Sequence, residues 1–478
     1  MQVFNPYLPS YEYIPDGEPY VFGDRVYVYG SHDRFNAPIF CMNDYVCWSA
    51  PVNDLSAWRY EGVIYRKKQD PMNVTGMRLL FAPDVTQGPD GRFYLYYAFD
   101  FMGTMGVAVC DTPAGEYQFY GHVRYPDGKL WGNKRKDEFP FDPGILVDDD
   151  GRVYLYSGFA TKVPPLMSRF HNQRNSGGVV MELELDMLTI KAGPTLLFPR
   201  RGNHPEADFI GHEFFEASSI RKIDGKYYFV YSSANNHELC YAVSDKPTGG
   251  FRFGGTLVDI GDLYLDGNTD ESHASNYLGN THGGMVELNG QWYIFYHRHT
   301  NQHSYSRQAC AEPLVRLPDG HFKQAEVTSC GLNGGPLRGI GEYEARIACN
   351  LWSKEGTARY DKSFQKHKHP YFTQNGKDGS EKAVQYIANM RDGSVAGFKY
   401  FDMQDVRYIR VAVSGKGEGR IEVANSSGFE KIIASIPVKS CGSFVNGSAP
   451  LETAKGVQPL FFRFVGKGYI DFYAFELI

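Results

Sequence analysis

One unit recurs along this chain: a tight polar turn followed by an alternating aromatic strand. It reads DGRFYLYYAF at 90–99, DGRVYLYSGF at 150–159 and DGKYYFVYSS at 224–233. Looser copies are FGDRVYVYGS at 22–31 and LNGQWYIFYH at 288–297. Aligning them puts Tyr27, Tyr94, Tyr154, Tyr228 and Tyr293 in one column, at intervals of 67, 60, 74 and 65 residues. Asp-Gly and Asn-Gly reach the positive φ angles of two-residue hairpin turns. The alternation that follows has the period of a strand with two different faces.

A repeat of about 65 residues is long enough for a four-stranded sheet with its loops. Five such sheets predict a five-bladed β-propeller, an architecture that closes radially and so protects its edges. The alternative is a β-sandwich that reuses one hairpin. At 478 residues the chain exceeds one ordinary core, and the hairpin pattern stops near residue 325. The expected division is a propeller over 1–328, a Gly-rich linker over 329–344 (SCGLNGGPLRGIGEY lies here) and a β-sandwich over 345–478. The last segment shows short alternating runs such as RYIRVAVSG, FFRFVG and YIDFYAFELI. The whole fold is therefore expected to be all-β.

About eleven residues before each aligned Tyr stands an ionisable residue: Asp16, Asp84, Asp142, Glu216 and His282. Taken singly, each is a turn or cap residue. Taken together, equivalent positions on innermost strands converge at a propeller axis. Crowded carboxyls raise one another's pKa, so that one keeps its proton near neutrality. An acid facing a carboxylate is the apparatus of glycosidic bond hydrolysis.

At these residues the sequence resembles glycoside hydrolase family 43, over roughly 4–325. The resemblance rests on FDPGILVDDDGRVYLY, FAPDVTQGPDGRFYLYY and FFEASSIRKIDGKYYFVYS. Asp16 stands in PDGEP, where the family writes Asp-Pro followed by a small residue. The resemblance implies Asp16 as general base, Glu216 as general acid, and Asp142 as the residue that orients Glu216 and raises its pKa. It implies inversion at the anomeric carbon, with a carboxyl gap of about 6.5–9.5 Å for a water. It also implies Arg307 as a sugar-binding residue. His282 is implied near the channel floor, beside a structural calcium held through water. No cofactor is expected for the chemistry itself. Asp84 is in register and is a candidate substrate contact. Phe35, Trp48 and Phe101 are candidate stacking platforms. The second domain resembles a family 6 carbohydrate-binding module, with Trp352 and Tyr371 as candidate platforms; its other expected role is to buttress the propeller or close over the pocket.

The leading expectation is an α-L-arabinofuranosidase or β-xylosidase of plant cell walls. Galactose release is the alternative raised by the PDGE departure, and a non-catalytic carbohydrate-binding propeller or a protein-interaction scaffold is the alternative from another class. A net charge of −6 argues against nucleic acid. No run of about 18 apolar residues predicts a membrane helix. The N-terminus lacks a signal-peptide pattern, which suggests a cytoplasmic protein or a trimmed secreted one. Eight scattered Cys with no CxxC pair predict free thiols and no zinc site.

Overall fold

A computed structural model describes the chain except for residues 101, 162–172, 203–206, 358, 360–367 and 453–454. Phe101 lies outside the described residues. Strands β1–β20 form five antiparallel four-stranded sheets, each built from consecutive strands. Their innermost strands are β1 (Glu18–Phe22), β5 (Leu80–Gln87), β9 (Gly144–Val147), β13 (Phe214–Ile223) and β17 (Met285–Leu288). The predicted aromatic strands are the second strand of each blade, and their Tyr, Phe and Leu side chains fill the clefts between neighbouring blades. The ring closes where Gly17 bridges Gly283. A Cβ at Gly283 would lie 1.9 Å from the Phe295 carbonyl oxygen, so only glycine admits the chain there.

Three of the five turns have two residues, as expected: 23–24, 224–225 and 289–290. The turns of blades two and three are longer, since Gln87 pairs with Phe93 and Val147 with Val153. This matters for the ionisable column. Glu216 pairs with Ser232, four residues beyond the aligned Tyr228. In blade two the residue at that level is Phe81, which pairs with Ala98. A register shift between Phe81 and Asp84 places Asp84 opposite Tyr96 instead. That is the level of Glu18, which pairs with Tyr29. Asp84 is thus one layer deeper in the channel than the sequence count implied, because turn length and a bulge both altered the register.

At that depth a network ties the blades together. The Tyr20 hydroxyl donates to Asp84 Oδ1 (2.7 Å), and Ile145 N–H donates to Asp84 Oδ2 (2.7 Å). Arg221 donates to Glu18 Oε2 (2.9 Å) and to the Tyr20 oxygen (3.0 Å). Burial and the Glu18 charge push the Asp84 pKa up to about 8. Asp84 is fully buried and both its oxygens are engaged, so it braces the channel at this depth.

The second domain is one sheet of ten strands wrapped around a core of Phe398, Phe401, Phe462, Phe464, Phe472 and Phe475. Its longest strands, β27 (Tyr408–Ala424) and β30 (Gly456–Leu477), pair along sixteen residues. The domain begins earlier than expected. Within the Gly-rich stretch, β21 (Leu337–Arg338) pairs with β26 (Val395–Met403), and β22 (Gly341–Glu344) pairs with β30. Backbone pairing there needs no apolar alternation, which is why the stretch reads as a linker.

The two domains share a polar seam along blade five. Asn301 N–H donates to Phe372 O (2.8 Å), and Leu351 N–H donates to Ser275 O (2.8 Å). The Arg298 guanidinium lies 3.9 Å from the centre of the Phe372 ring. Lys399 pairs with Asp262 (3.0 Å) and Glu326 (2.8 Å). The eight cysteines are unpaired, and among the described residues no helix is long and apolar enough to cross a membrane.

Replacing Asp84 by Ala strands the Tyr20 hydroxyl and the Ile145 N–H in a buried channel. The expected loss is about 2–3 kcal/mol of unfolding free energy, with KM for small glycosides unchanged. Denaturant titration and steady-state kinetics check both halves.

Candidate active site

Asp16, Asp142, Glu216 and His282 meet at the upper end of the channel. Asp16 and Asp142 immediately precede or approach their innermost strands in left-handed backbone conformations, with φ of 59° and 45°. Ala217, next to Glu216, has φ 70°. Non-glycine residues in this region cost energy and persist only where the surroundings impose them. Here the imposed bend turns each carboxyl out of its sheet and toward the axis.

Asp16 is 4% exposed and is held by Arg307, whose Nη1 donates to Asp16 Oδ1 at 2.9 Å. Arg307 also forks onto Asp33, with Nε to Oδ2 at 2.8 Å and Nη2 to Oδ1 at 3.0 Å. The guanidinium is thus engaged by two carboxylates, Asp16 and Asp33. Burial raises the Asp16 pKa, and the Arg307 charge opposes the rise. Asp16 therefore ionises above the ordinary Asp value, but a counter-charge keeps the anion accessible. Asp16 N–H donates to His297 Nδ1 (3.3 Å), and His297 Nε2 donates to Asn280 O (2.8 Å). These two bonds fix a neutral imidazole, in agreement with a pKa driven well below the usual histidine range by burial and Arg307.

Glu216 is only partly covered. Its pKa is raised to about 8, first by desolvation and then by the Asp16 charge, with Arg307 opposing. Asp142 is also raised, by burial and then by the Glu216 and Asp16 charges. Carboxyls this close share protons. The proton belongs on Glu216, because Asp142 Oδ2 accepts the Ala217 N–H (3.0 Å), a bond that favours the carboxylate, whereas among the described residues none donates to Glu216. Asp142 thus holds the backbone next to Glu216. The burial of Glu216 raises its pKa more than any neighbouring charge does.

His282 is buried, with Nδ1 3.6 Å from Asp142 Oδ2, and burial pushes its pKa down to about 3. Calcium takes six to eight oxygen ligands. Among the described residues, His282 belongs to no group of three His, Cys, Asp or Glu ligand atoms within mutual reach. The group that does, His212, Glu238 and Cys240, lies on blade four. The residues around His282 do not fit a direct calcium cage, and no step of the chemistry draws on one.

The aromatic wall differs from expectation. Trp48 is buried in blade one, and its Nε1 donates to Glu12. The Phe35 ring rests on Tyr13 (5.8 Å). Phe40 instead faces the Arg307 guanidinium at 4.8 Å. From it an arc of rings runs through Phe81 (6.2 Å), Phe141 (5.4 Å), Phe159 (4.8 Å) and Phe215 (5.7 Å). Of these only Phe141 is buried; Phe40, Phe81, Phe159 and Phe215 are partly exposed. Asp33 and Phe40 come from a loop outside the repeat, whereas His297 ends the fifth copy, LNGQWYIFYH, four residues past the aligned Tyr293, where a count of one ionisable residue ahead of each hairpin passes it over.

The second domain reaches this rim. Asp378 Oδ1 accepts the Phe35 N–H (2.6 Å), and Oδ2 accepts from Asn43 Nδ2 (3.3 Å). Between those anchors lie Phe40 and Cys41, and Cys41 N–H donates to Asp33 Oδ1 (3.0 Å). The Tyr13 hydroxyl donates to Gln374 Oε1 at 2.6 Å. The domain therefore holds the loop that carries the Arg307 partner.

A proton-bearing carboxyl and an ionised one, set into a hollow on a five-bladed propeller, define a glycoside hydrolase. Residues 13–322 match the glycosyl hydrolases family 43, and the chain belongs to that family. It is 49% identical, over 100% of its length and 99% of the relative's, to a xylosidase/arabinosidase of Thermoclostridium stercorarium. It is 29% identical to a beta-xylosidase of Xylanibacter ruminicola, over 66% of this chain and 97% of that one. Among solved structures, the GH43_1 enzyme of Xanthomonas citri has 25% identity and a TM-score of 0.52, covering 66% of this chain and 93% of that one. A Bacillus subtilis arabinoxylan arabinofuranohydrolase matches the fold of both domains, at 20% identity, TM-score 0.50 and coverage of 99% and 97%. The chain is thus an inverting glycosidase, as members of the family are.

Two outcomes follow from this geometry. The raised Glu216 proton affinity favours the folded state below the unfolded value near 4.5 and is lost as pH rises through about 8. Glu216→Gln should therefore gain Tm over the parent progressively between pH 5 and pH 8, as read by calorimetry. Asp378→Ala should lower kcat about fivefold, the effect of roughly 1 kcal/mol. Asp378→Asn, which keeps an acceptor at Oδ1, should recover most of it.

Proposed function

We propose that this enzyme releases terminal xylose and arabinofuranose units from plant cell-wall oligosaccharides. The observation that carries the reading is the convergence of Asp16, Asp142 and Glu216 on one hollow, in a chain similar along its whole length to a xylosidase/arabinosidase. Glu216 gives its proton to the glycosidic oxygen as the bond from the anomeric carbon breaks. Asp16 takes a proton from the water that attacks the opposite face. Asp142 holds the backbone beside the acid, and Arg307 with Asp33 holds the base. The new carbon–oxygen bond forms on the face opposite the departing group, so the configuration inverts. The arc from Phe40 to Phe215 supplies flat apolar faces for a pentose ring, whose C–H groups suit them.

Nitrophenyl xyloside, arabinofuranoside and galactoside distinguish the outcomes. Turnover of the first two is expected, and Glu216→Gln should reduce kcat by about 10²–10⁴-fold. Proton NMR of the first-formed sugar should show the inverted anomer. Turnover confined to the galactoside, or none on any of the three, overturns the assignment.

A further inference from the structure

Blade four gathers a second group of reactive side chains outside the column at the axis. Glu238 and Cys240 stand on β15 (Glu238–Ser244), the third strand out from the channel. Residues two apart on a strand share a face, so both side chains project the same way. His212 meets them from the turn ahead of β13. Its Nδ1 lies 2.8 Å from Glu238 Oε1 and 3.9 Å from Cys240 Sγ. The nitrogen, oxygen and sulfur all fall within 4.8 Å of one another. In a tetrahedral zinc site, bonds of about 2.0 Å to nitrogen or oxygen and about 2.3 Å to sulfur set such atoms about 3.3–3.5 Å apart. The observed separations bracket that spacing, so small side-chain shifts bring all three atoms around one ion.

Each of the three groups is held in place from behind. The His212 ring stacks on Phe253 (4.9 Å) and stands edge-on to Tyr264 (5.2 Å). The Tyr231 hydroxyl donates to His212 O (2.7 Å). Glu238 Oε1 accepts from Ser233 Oγ (2.6 Å) and Asn235 Nδ2 (2.9 Å), and Oε2 accepts from Thr256 Oγ1 (2.9 Å). Partners of this kind orient metal ligands. An ordinary His–Glu ion pair accounts for the imidazole and the carboxylate. It does not account for a buried thiol, in no disulfide, set against the same nitrogen.

The donor set also selects the metal. Calcium and magnesium take oxygen ligands, whereas thiolate, imidazole and carboxylate together suit zinc. Glu238 and Cys240 are fully buried, but the His212 side chain is 23% exposed and leaves a way in.

We propose that His212, Glu238 and Cys240 form a zinc site, with a solvent water as fourth ligand. Zinc replaces the proton on Cys240 Sγ, which passes to solvent. It binds Nδ1 of the His212 tautomer that keeps its N–H at Nε2. The site shares no residue with the catalytic hollow and does not depend on the function proposed above. It clips the turn ahead of β13 to β15, and Glu216 follows His212 by four residues, so the clip anchors the start of the strand that carries the acid. Paired cysteines do not announce this site, because His212 and Glu238 lie 26 residues apart and meet only through folding.

Calorimetric titration of the chelator-treated full chain with zinc chloride tests this. One zinc per chain is expected, undisturbed by a large excess of calcium, together with a rise in Tm. Cobalt(II) in its place should show a thiolate-to-cobalt charge-transfer band in the near ultraviolet. Thr256→Val, which removes a support of Glu238, should weaken zinc binding about tenfold. Cys240→Ser should abolish the cobalt band, weaken zinc binding by about a hundredfold or more, beyond the range of a supporting residue, and cancel the zinc-dependent rise in Tm. His212→Gln, at the partly exposed ligand, should weaken zinc binding to the same degree and serves if the Cys240 variant does not fold. No zinc bound by the parent, zinc displaced by calcium, or zinc held as tightly by both ligand variants overturns the proposal.

Discussion

Everything at the upper end of the channel depends on one guanidinium. Arg307 is buried with Asp16 and Asp33 bound to it, and it lies within electrostatic reach of Glu216, Asp142, His282 and His297. Several carboxyls without a counter-charge would all hold protons in such a place, and no base would remain. One fixed positive charge separates them. The carboxyl it touches stays the readiest to ionise, and the carboxyl beyond direct contact keeps its proton. Burial, with the same charge adding to it, keeps the imidazoles of His282, His297 and His299 neutral. The difference between acid and base is thus set by distance from Arg307, whose contact offsets the deeper burial of Asp16.

Placing those groups is the work of strand register. The five inner strands act as parallel rulers, and a residue's level is fixed by the length of its hairpin turn and by any bulge. Blade two shows the consequence. Its extra residues move Asp84 down beside Glu18 and bring Phe81 to the rim, so the catalytic level has four polar positions and one aromatic wall. Beneath it, the Glu18–Arg221–Tyr20–Asp84 network closes the channel and keeps the blades from shearing. The ionisable groups therefore fall into two layers: an upper one poised for chemistry, and a lower one tied by hydrogen bonds through Glu18 Oε2, Tyr20, Asp84 and Arg221.

The second domain is part of the enzyme's rim as well as its neighbour. Its seam with blade five consists largely of backbone hydrogen bonds and paired charges, an arrangement that fixes orientation more than it adds hydrophobic stability. From that seam the segment carrying Gln374 and Asp378 reaches blade one and grips the loop that holds Asp33, Phe40 and Cys41. The expected buttressing role is visible in these contacts, which lead within three residues to the catalytic base.

The amino-acid sequence by itself determined the architecture and the chemical alphabet. Five Asp-Gly-like turns ahead of alternating aromatic strands have no other economical packing than five blades, because period-two alternation and positive-φ turns are local properties of the chain. The same periodicity pointed to Asp16, Asp142, Glu216 and His282. Tertiary structure alone decided their depth and their electrical state. It set Asp84 deeper by a bulge, laid Phe40 against Arg307, brought in Asp33 from a loop and His297 from the fifth repeat strand, and turned part of a Gly-rich stretch into strands of the second sheet. Those outcomes depend on register, burial and contacts between residues hundreds of positions apart, and no local pattern encodes the dielectric around a carboxyl group.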